Sequence, residues 1–150
     1  MPTTIDTVAP AKTYGKGDAL YVQAQQIWII LTAFVMSKSF PGTSWEKFDH
    51  PNDRIYYSEL AAKMGRPGAQ RTLSRQLEIV GRYCVMNNLP ALNAIVVNKT
   101  SQIPGDGVVL HQGRDEFQEI ATVNNFDWFT VRPPTVGALR KVYDWINASY

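Results

Sequence analysis

Residues 55–110, IYYSELAAKMGRPGAQRTLSRQLEIVGRYCVMNNLPALNAIVVNKTSQIPGDGVVL, alternate β-prone runs with amphipathic helical ones, and their order decides the fold. Ile55-Tyr56-Tyr57 is a short β-prone run; Ser58 before Glu59 supplies an N-cap and an acidic first turn for a helix through Leu-Ala-Ala-Lys-Met. Gly65 ends that helix. Arg66-Pro67-Gly68 cannot continue it, because proline lacks the amide donor and glycine is flexible, so a second helix starts near Ala69. It is expected to reach about Asn87, with Leu73, Leu77, Val80 and Cys84 on its buried side and Arg71, Arg75, Glu78 and Arg82 opposite. Leu89-Pro90 closes it. Residues 92–98 are apolar and β-branched enough for a buried strand, residues 99–107 form a polar loop with Pro-Gly and Asp-Gly turns, and Val108-Val109-Leu110 supplies a returning strand. Strand, helix, turn, helix, strand, hairpin loop, strand is the order of a winged helix, an α+β domain with a helix-turn-helix and a β-hairpin wing. That scaffold serves both nucleic-acid binding and protein interaction, so function must be argued from the side chains it displays.

Outward from this core, 150 residues with 45% hydrophobic and 19% charged side chains suit one folded domain over 19–150, preceded by a flexible arm over 1–18. The formal charge of +2 is unevenly spread. Residues 1–62 hold five basic and six acidic side chains, residues 63–104 six basic and only Glu78, and residues 105–150 four and six, giving −1, +5 and −2. A positive excess confined to the helix-turn-helix and wing suits a polyanion-binding face, since neutralised phosphates release counterions. Pairing of Glu78 with Arg75 and Arg82 at helical spacing is the plainer account of part of it.

Residues 19–38, ALYVQAQQIWIILTAFVMSK, form the strongest helical stretch, with Leu20, Ala24, Ile27, Leu31 and Phe34 along one face. The apolar run 27–36 is short for a bilayer, so it is expected to be buried in protein on more than one side, within the core or shared with a second copy in a homodimer. Residues 39–53 read as a loop pinned by Phe40, Trp45 and Phe48; Asp49 and His50 there have no ligand-spaced partners, and His111 stands alone. Residues 115–121 suit a short helix, and residues 126–131 a late strand or aromatic anchor. Thr135 caps a final helix with Val136, Leu139, Val142 and Ile146 as its apolar stripe and Arg140 and Lys141 outward. The single cysteine, Cys84, and the absence of a basic-then-apolar leader pattern favour a reducing, cytoplasmic setting. Asn93, Asn98, Lys99 and Asp106 cluster near the wing, where turn capping and strand-end hydrogen bonds account for them.

Tyr57-Ser58-Glu59-Leu60-Ala61, Gly65-Arg66-Pro67-Gly68-Ala69-Gln70-Arg71 and Leu89-Pro90, followed by Val96-Val97-Asn98, resemble the DNA-binding half of the alkylguanine-DNA alkyltransferases and their alkyltransferase-like relatives. The resemblance implies a helix-turn-helix that enters the minor groove, with Arg71 in the place of the arginine that helps to extrude a nucleotide. The family's reactive Pro-Cys-His-Arg block is replaced by Leu92-Asn93-Ala94-Ile95, so the scaffold is implied and alkyl transfer is not. Cys84, on the buried side of a helix, is no substitute nucleophile. Leu89-Pro90-Ala91-Leu92, Val96-Val97-Asn98-Lys99, Pro104-Gly105-Asp106-Gly107 and Asp127-Trp128 are also similar to the marks of a group of small bacterial and phage-type proteins, with Ser101-Gln102 where a Thr-Gly pair is usual. That resemblance carries no activity with it.

The expectation is therefore a non-enzymatic winged-helix protein that binds duplex DNA, with an added N-terminal hydrophobic helix and a C-terminal helix. Arg66, Arg71 and Arg75 would face the groove and Lys99 with the wing the backbone, Gln70 and Ser74 would reach base edges or phosphates, and Arg82 would add a further DNA contact, with no catalytic residue, metal or cofactor. The alternative is a protein-interaction module, for example a phage or mobile-element protein that binds a host complex through its aromatic residues and its apolar first helix.

Overall fold

Helix α1 (Ala19–Ser37) is the element on which the others pack. The computed structural model describes residues 11, 13–37 and 52–148. Most of the expected arm, including Lys12, and the segment 38–51 with Phe40, Trp45, Phe48, Asp49 and His50 lie outside the described residues. Ala24, Ile27, Leu31 and Phe34 of α1 are buried as their spacing predicts, and Leu20 is half-buried. Trp28, Thr32 and Val35 widen the buried face, but Gln26, Ile29 and Ala33 remain exposed, so the helix is covered along one broad side only. With the preceding turn it reaches from Lys16 to Ser37, long and apolar enough by composition to cross a membrane, which the ten-residue run alone is not. Its buried side faces α3 (Ser74–Met86) and α5 (Val136–Ala148). Trp28 meets Tyr83 edge-on at 5.6 Å and Trp128 at 5.5 Å, contacts worth roughly 0.5–1.5 kcal/mol each beyond the area they bury.

The fold is α+β with little β structure. Strand β1 (Ile55–Tyr56) pairs in parallel with β2 (Val96–Val97), in the register Ile55 to Val96 and Tyr56 to Val97. The expected β-hairpin wing does not form: β2 turns to β1, and residues 108–110 carry no strand. The expected strand over 92–98 begins with a 3-10 turn, Leu92–Ile95, and only Val96–Val97 is extended. A buried apolar run has no polar face from which to tell the two apart. Helix α2 (Tyr57–Lys63) starts two residues earlier than expected, with extended Tyr56 at the cap position, its N–H donating to the Glu59 carboxylate at 3.2 Å, and Ser58 already inside the first turn. Gly65, at φ 75°, closes α2 as the pattern requires, Arg66 N–H donating to the Ala61 carbonyl at 2.9 Å.

Helix α4 (Glu116–Asn125) is capped by Asp115, whose carboxylate accepts from Gln118 N–H at 2.8 Å while Asp115 N–H donates to Gln118 Oε1 at 2.9 Å. The aromatic segment after it is not a strand. Trp128–Thr130 is a 3-10 turn, and Trp128 is the buried anchor, its indole N–H held by the Val123 carbonyl at 2.9 Å. Thr135 caps α5 through a bond from Ala138 N–H at 3.1 Å, and Val136, Leu139, Val142 and Ile146 are all buried. Residues 16–18, assigned to the arm by sequence, form a 3-10 turn whose Asp18 pairs with Arg140; Arg140 also lies over the Tyr21 ring at 5.1 Å, so it is engaged and does not simply face outward.

Candidate nucleic-acid interface

The turn after α2 delivers the predicted cations along one short path. Gly68, at φ 86°, follows Pro67 and reverses the chain, and Gln70–Thr72 is a separate 3-10 turn before α3 opens at Ser74. The second helix therefore starts later than expected, and Arg71 lies on the turn while Arg75 lies on the helix. Leu73, at the junction, is fully buried and has no side chain to cap α3, which leaves its first amides for other acceptors. Arg66, Arg71, Ser74 and Arg75 are exposed. Among the described residues, none of these three arginines forms an ion pair; Arg75 donates to the Tyr143 hydroxyl of α5 at 3.3 Å. Glu78 also forms no ion pair with Arg75 or Arg82 among the described residues, so their spacing does not neutralise the face.

Beside this cationic edge lies a cleft of about 170 Å³ between the start of α3 and the loop 105–108. Tyr57, Ser74, Arg75, Leu77, Glu78 and Asp106 bring hydroxyls, a guanidinium and two carboxylates to its walls, over a floor that includes Asn93. Asn93 is 4% exposed. With its amide nitrogen toward the Val109 carbonyl it donates at 3.1 Å and accepts from Val109 N–H at 2.9 Å, replacing the missing strand pairing between β2 and the returning segment. Gly81 lies directly beneath: a Cβ there would stand 2.4 Å from the Asn93 amide and 2.8 Å from Val109 Cβ.

The loop expected as the wing is held by side chains. Asn98 N–H donates to the Ile103 carbonyl at 2.9 Å and Gln102 N–H to the Asn98 carbonyl at 2.8 Å. Gln102 adopts φ 63°, and its amide donates to the Tyr56 hydroxyl at 2.8 Å and the Lys99 carbonyl at 2.9 Å, bonds that offset that conformation. Arg54, bidentate to Asp53 at 3.0 and 3.1 Å, also donates to the Gln102 carbonyl at 2.9 Å. Tyr57 OH accepts from Gly105 N–H at 3.0 Å. Lys99 thus sits exposed on a loop tied to β1 and α2. At the far end, the fully buried Glu119 carboxylate accepts from Arg114 at 2.7 Å, His111 N–H at 2.7 Å and Ala91 N–H at 3.2 Å, and the His111 ring contacts the Leu89 carbonyl at 2.5 Å.

Of the predicted contact residues, only Ser74 and Arg75 line the cleft. Arg66 borders a different hollow with α1. Gln70 is half-buried and its side-chain oxygen faces inward without a partner, so it is not a free groove contact. Arg82 is half-buried higher on α3. The sequence did not single out Tyr57, Glu78 or Tyr143 for this site, because a tyrosine at a helix start and a glutamate at helical spacing read as packing and surface charge. Among the described residues no group of three or more His, Cys, Asp and Glu side chains could hold a metal ion. Burial pushes the Cys84 thiol up to about 12, against its ordinary value of 9.0, which suits a packed hydrophobe and not a nucleophile. No protein family, characterised protein or solved structure matches the chain.

Proposed function

We propose that the chain binds duplex DNA without catalysing a reaction, using α2, the turn and α3 as a helix-turn-helix of the winged-helix kind, with the loop 98–107 serving in place of a hairpin wing. The observation that carries this reading is the run of exposed arginines, Arg66, Arg71 and Arg75, on a turn and an uncapped helix start, none of them spent on a carboxylate among the described residues. Phosphates would lie along Arg71, Arg75 and the first amides of α3, with Lys99 reaching the backbone from the loop. The carboxylates of Glu78 and Asp106 repel phosphate, so the cleft between α3 and the loop is suited to base edges, where a carboxylate accepts from an exocyclic amino group and Ser74 contacts either partner type. A fluorescence titration of a labelled duplex at increasing salt tests the proposal. About four cationic contacts give log K against log salt a slope of roughly −3 to −4, and no binding at low salt would end the reading.

A second reading, a protein-interaction module, is favoured by a separate surface. Tyr14 and Ile29 are 49% and 50% exposed beside hollows that α1 shares with the end of α2 and that have no lining residue in common with the cleft.

A further inference from the structure

Two hollows adjoin along the outer side of α1, both lined by Gln26 and Met64, one of about 400 Å³ toward its N-terminal end and one of about 200 Å³ beyond, and together they make a groove. Val22, Gln26 and Ile29 follow one another at helical spacing along its wall, Ile30 and Met64 close its far side, and Tyr14 closes its near end. Among the described residues its charged lining side chains are Lys63 and Arg66 and no carboxylate lines either part; Glu59, one turn back, acts on Lys63 from outside it. An apolar trough with cations at its edge matches one kind of ligand. We propose that this groove receives an amphipathic helical segment of another protein, apolar on the face it inserts and carrying Asp or Glu along the flank that meets Lys63 and Arg66. The inference rests on the protein-interaction reading; of the arginines assigned to DNA it uses only Arg66, which borders this groove and not the cleft.

The physical case rests on fit and charge. Apolar anchors at i, i+3, i+4 and i+7 of an incoming helix match a trough walled by α1, and the unbranched thioether of Met64 adapts to their shape. A second copy of the chain fits less well, because a two-fold contact through α1 brings another Lys63 and Arg66 toward the first pair. Duplex DNA meets the cations but leaves Val22, Ile29 and Ile30 without apolar partners.

The test uses the full chain and two labelled synthetic helical peptides, each with leucines at i, i+3, i+4 and i+7, one flanked by glutamates and the other by lysines. Fluorescence anisotropy is expected to show the glutamate peptide binding at least about tenfold tighter than the lysine peptide. Ile29→Glu should weaken it by about tenfold or more, and Lys63→Glu with Arg66→Glu should reverse the preference, all with an unchanged circular-dichroism spectrum. Arg71→Glu with Arg75→Glu should leave peptide binding intact, which separates this surface from the DNA cleft. Equal binding of both peptides, or none, overturns the proposal. A dimer by light scattering that Ile29→Glu dissociates assigns the groove to a second copy instead, and binding to phosphatidylserine vesicles that is lost in Ile29→Glu assigns it to a lipid surface.

Discussion

Gly81 shows how a single missing methyl group shapes the site. It lets α3 approach Asn93 and Val109 so closely that the amide of Asn93 can bond both backbone groups of Val109. Gly81→Ala forces a Cβ into that contact, and overpacking together with the lost bonds outweighs the gain in helix propensity, for a net loss of about 2–4 kcal/mol. The melting temperature should fall by roughly 5–10 °C. Gly137→Ala is the control: in α5 an added Cβ meets only Thr135 Oγ1 at 3.9 Å, so it should add about 0.5–1 kcal/mol of stability from helix preference and raise the melting temperature slightly. Cys84 gives a second test at this scale. Its thiol is neutral in the folded protein up to about pH 12 but ionises from pH 9.0 on unfolding, so it favours folding below pH 9 and loses that effect as the pH rises toward 12. At pH 8, Ellman's reagent should label it only in denaturant, and Cys84→Val should flatten the alkaline decline in stability. Rapid labelling of the native protein would place the thiol outside the core.

At the scale of elements, α1 has a buried side and an open one, and the neighbouring isoleucines of the groove wall differ in how far they reach into the core. Ile30 packs partly against the core while Ile29 is half exposed. Ile30→Glu should therefore lower the melting temperature by several degrees and Ile29→Glu by less than about 2 °C, since exposed substitutions cost about half a kcal/mol or less. Equal effects measured by thermal denaturation would show that both residues face the interior. Helical periodicity made much of this legible: Leu73, Leu77, Val80 and Cys84 are buried at their expected spacing, as are the α5 stripe and most of the α1 face. Gly65 and Thr135 marked true helix boundaries. The β pairing was not legible, because β2 is a two-residue element whose partner is set by packing across the chain and not by a nearby turn. Of the site, the exposure of Arg71 and Arg75 could be read from spacing. The cleft could not, since it depends on Tyr57 and Asp106 approaching α3 from other segments. Asn93 inside an apolar run was the one visible signal, a buried amide that had to find partners. Glu119 gave none: only the folded chain brings Arg114, His111 and Ala91 to its carboxylate.

Across the whole molecule, the +5 excess of residues 63–104 is spread over the end of α2, the turn, α3 and the loop, while the flanking segments carry −1 and −2. Arg71→Glu with Arg75→Glu replaces two exposed cations by anions at the cost of the long bond from Arg75 to Tyr143, so the fold should persist with the melting temperature within a few degrees. Duplex affinity should fall by at least about a hundredfold and the salt slope should flatten, both read from the same titration. A folded double variant that binds as well as the parent would move the interface to another surface. The parallel ladder between β1 and β2 also sets an order of events in folding, because all of α2 and α3 intervenes between its two strands. A large loop must close before either strand gains a partner, whereas α2, its turn and α3 can form locally. The Val96–Val97 ladder should therefore assemble late, and conservative truncation there should speed unfolding while leaving the refolding rate nearly unchanged.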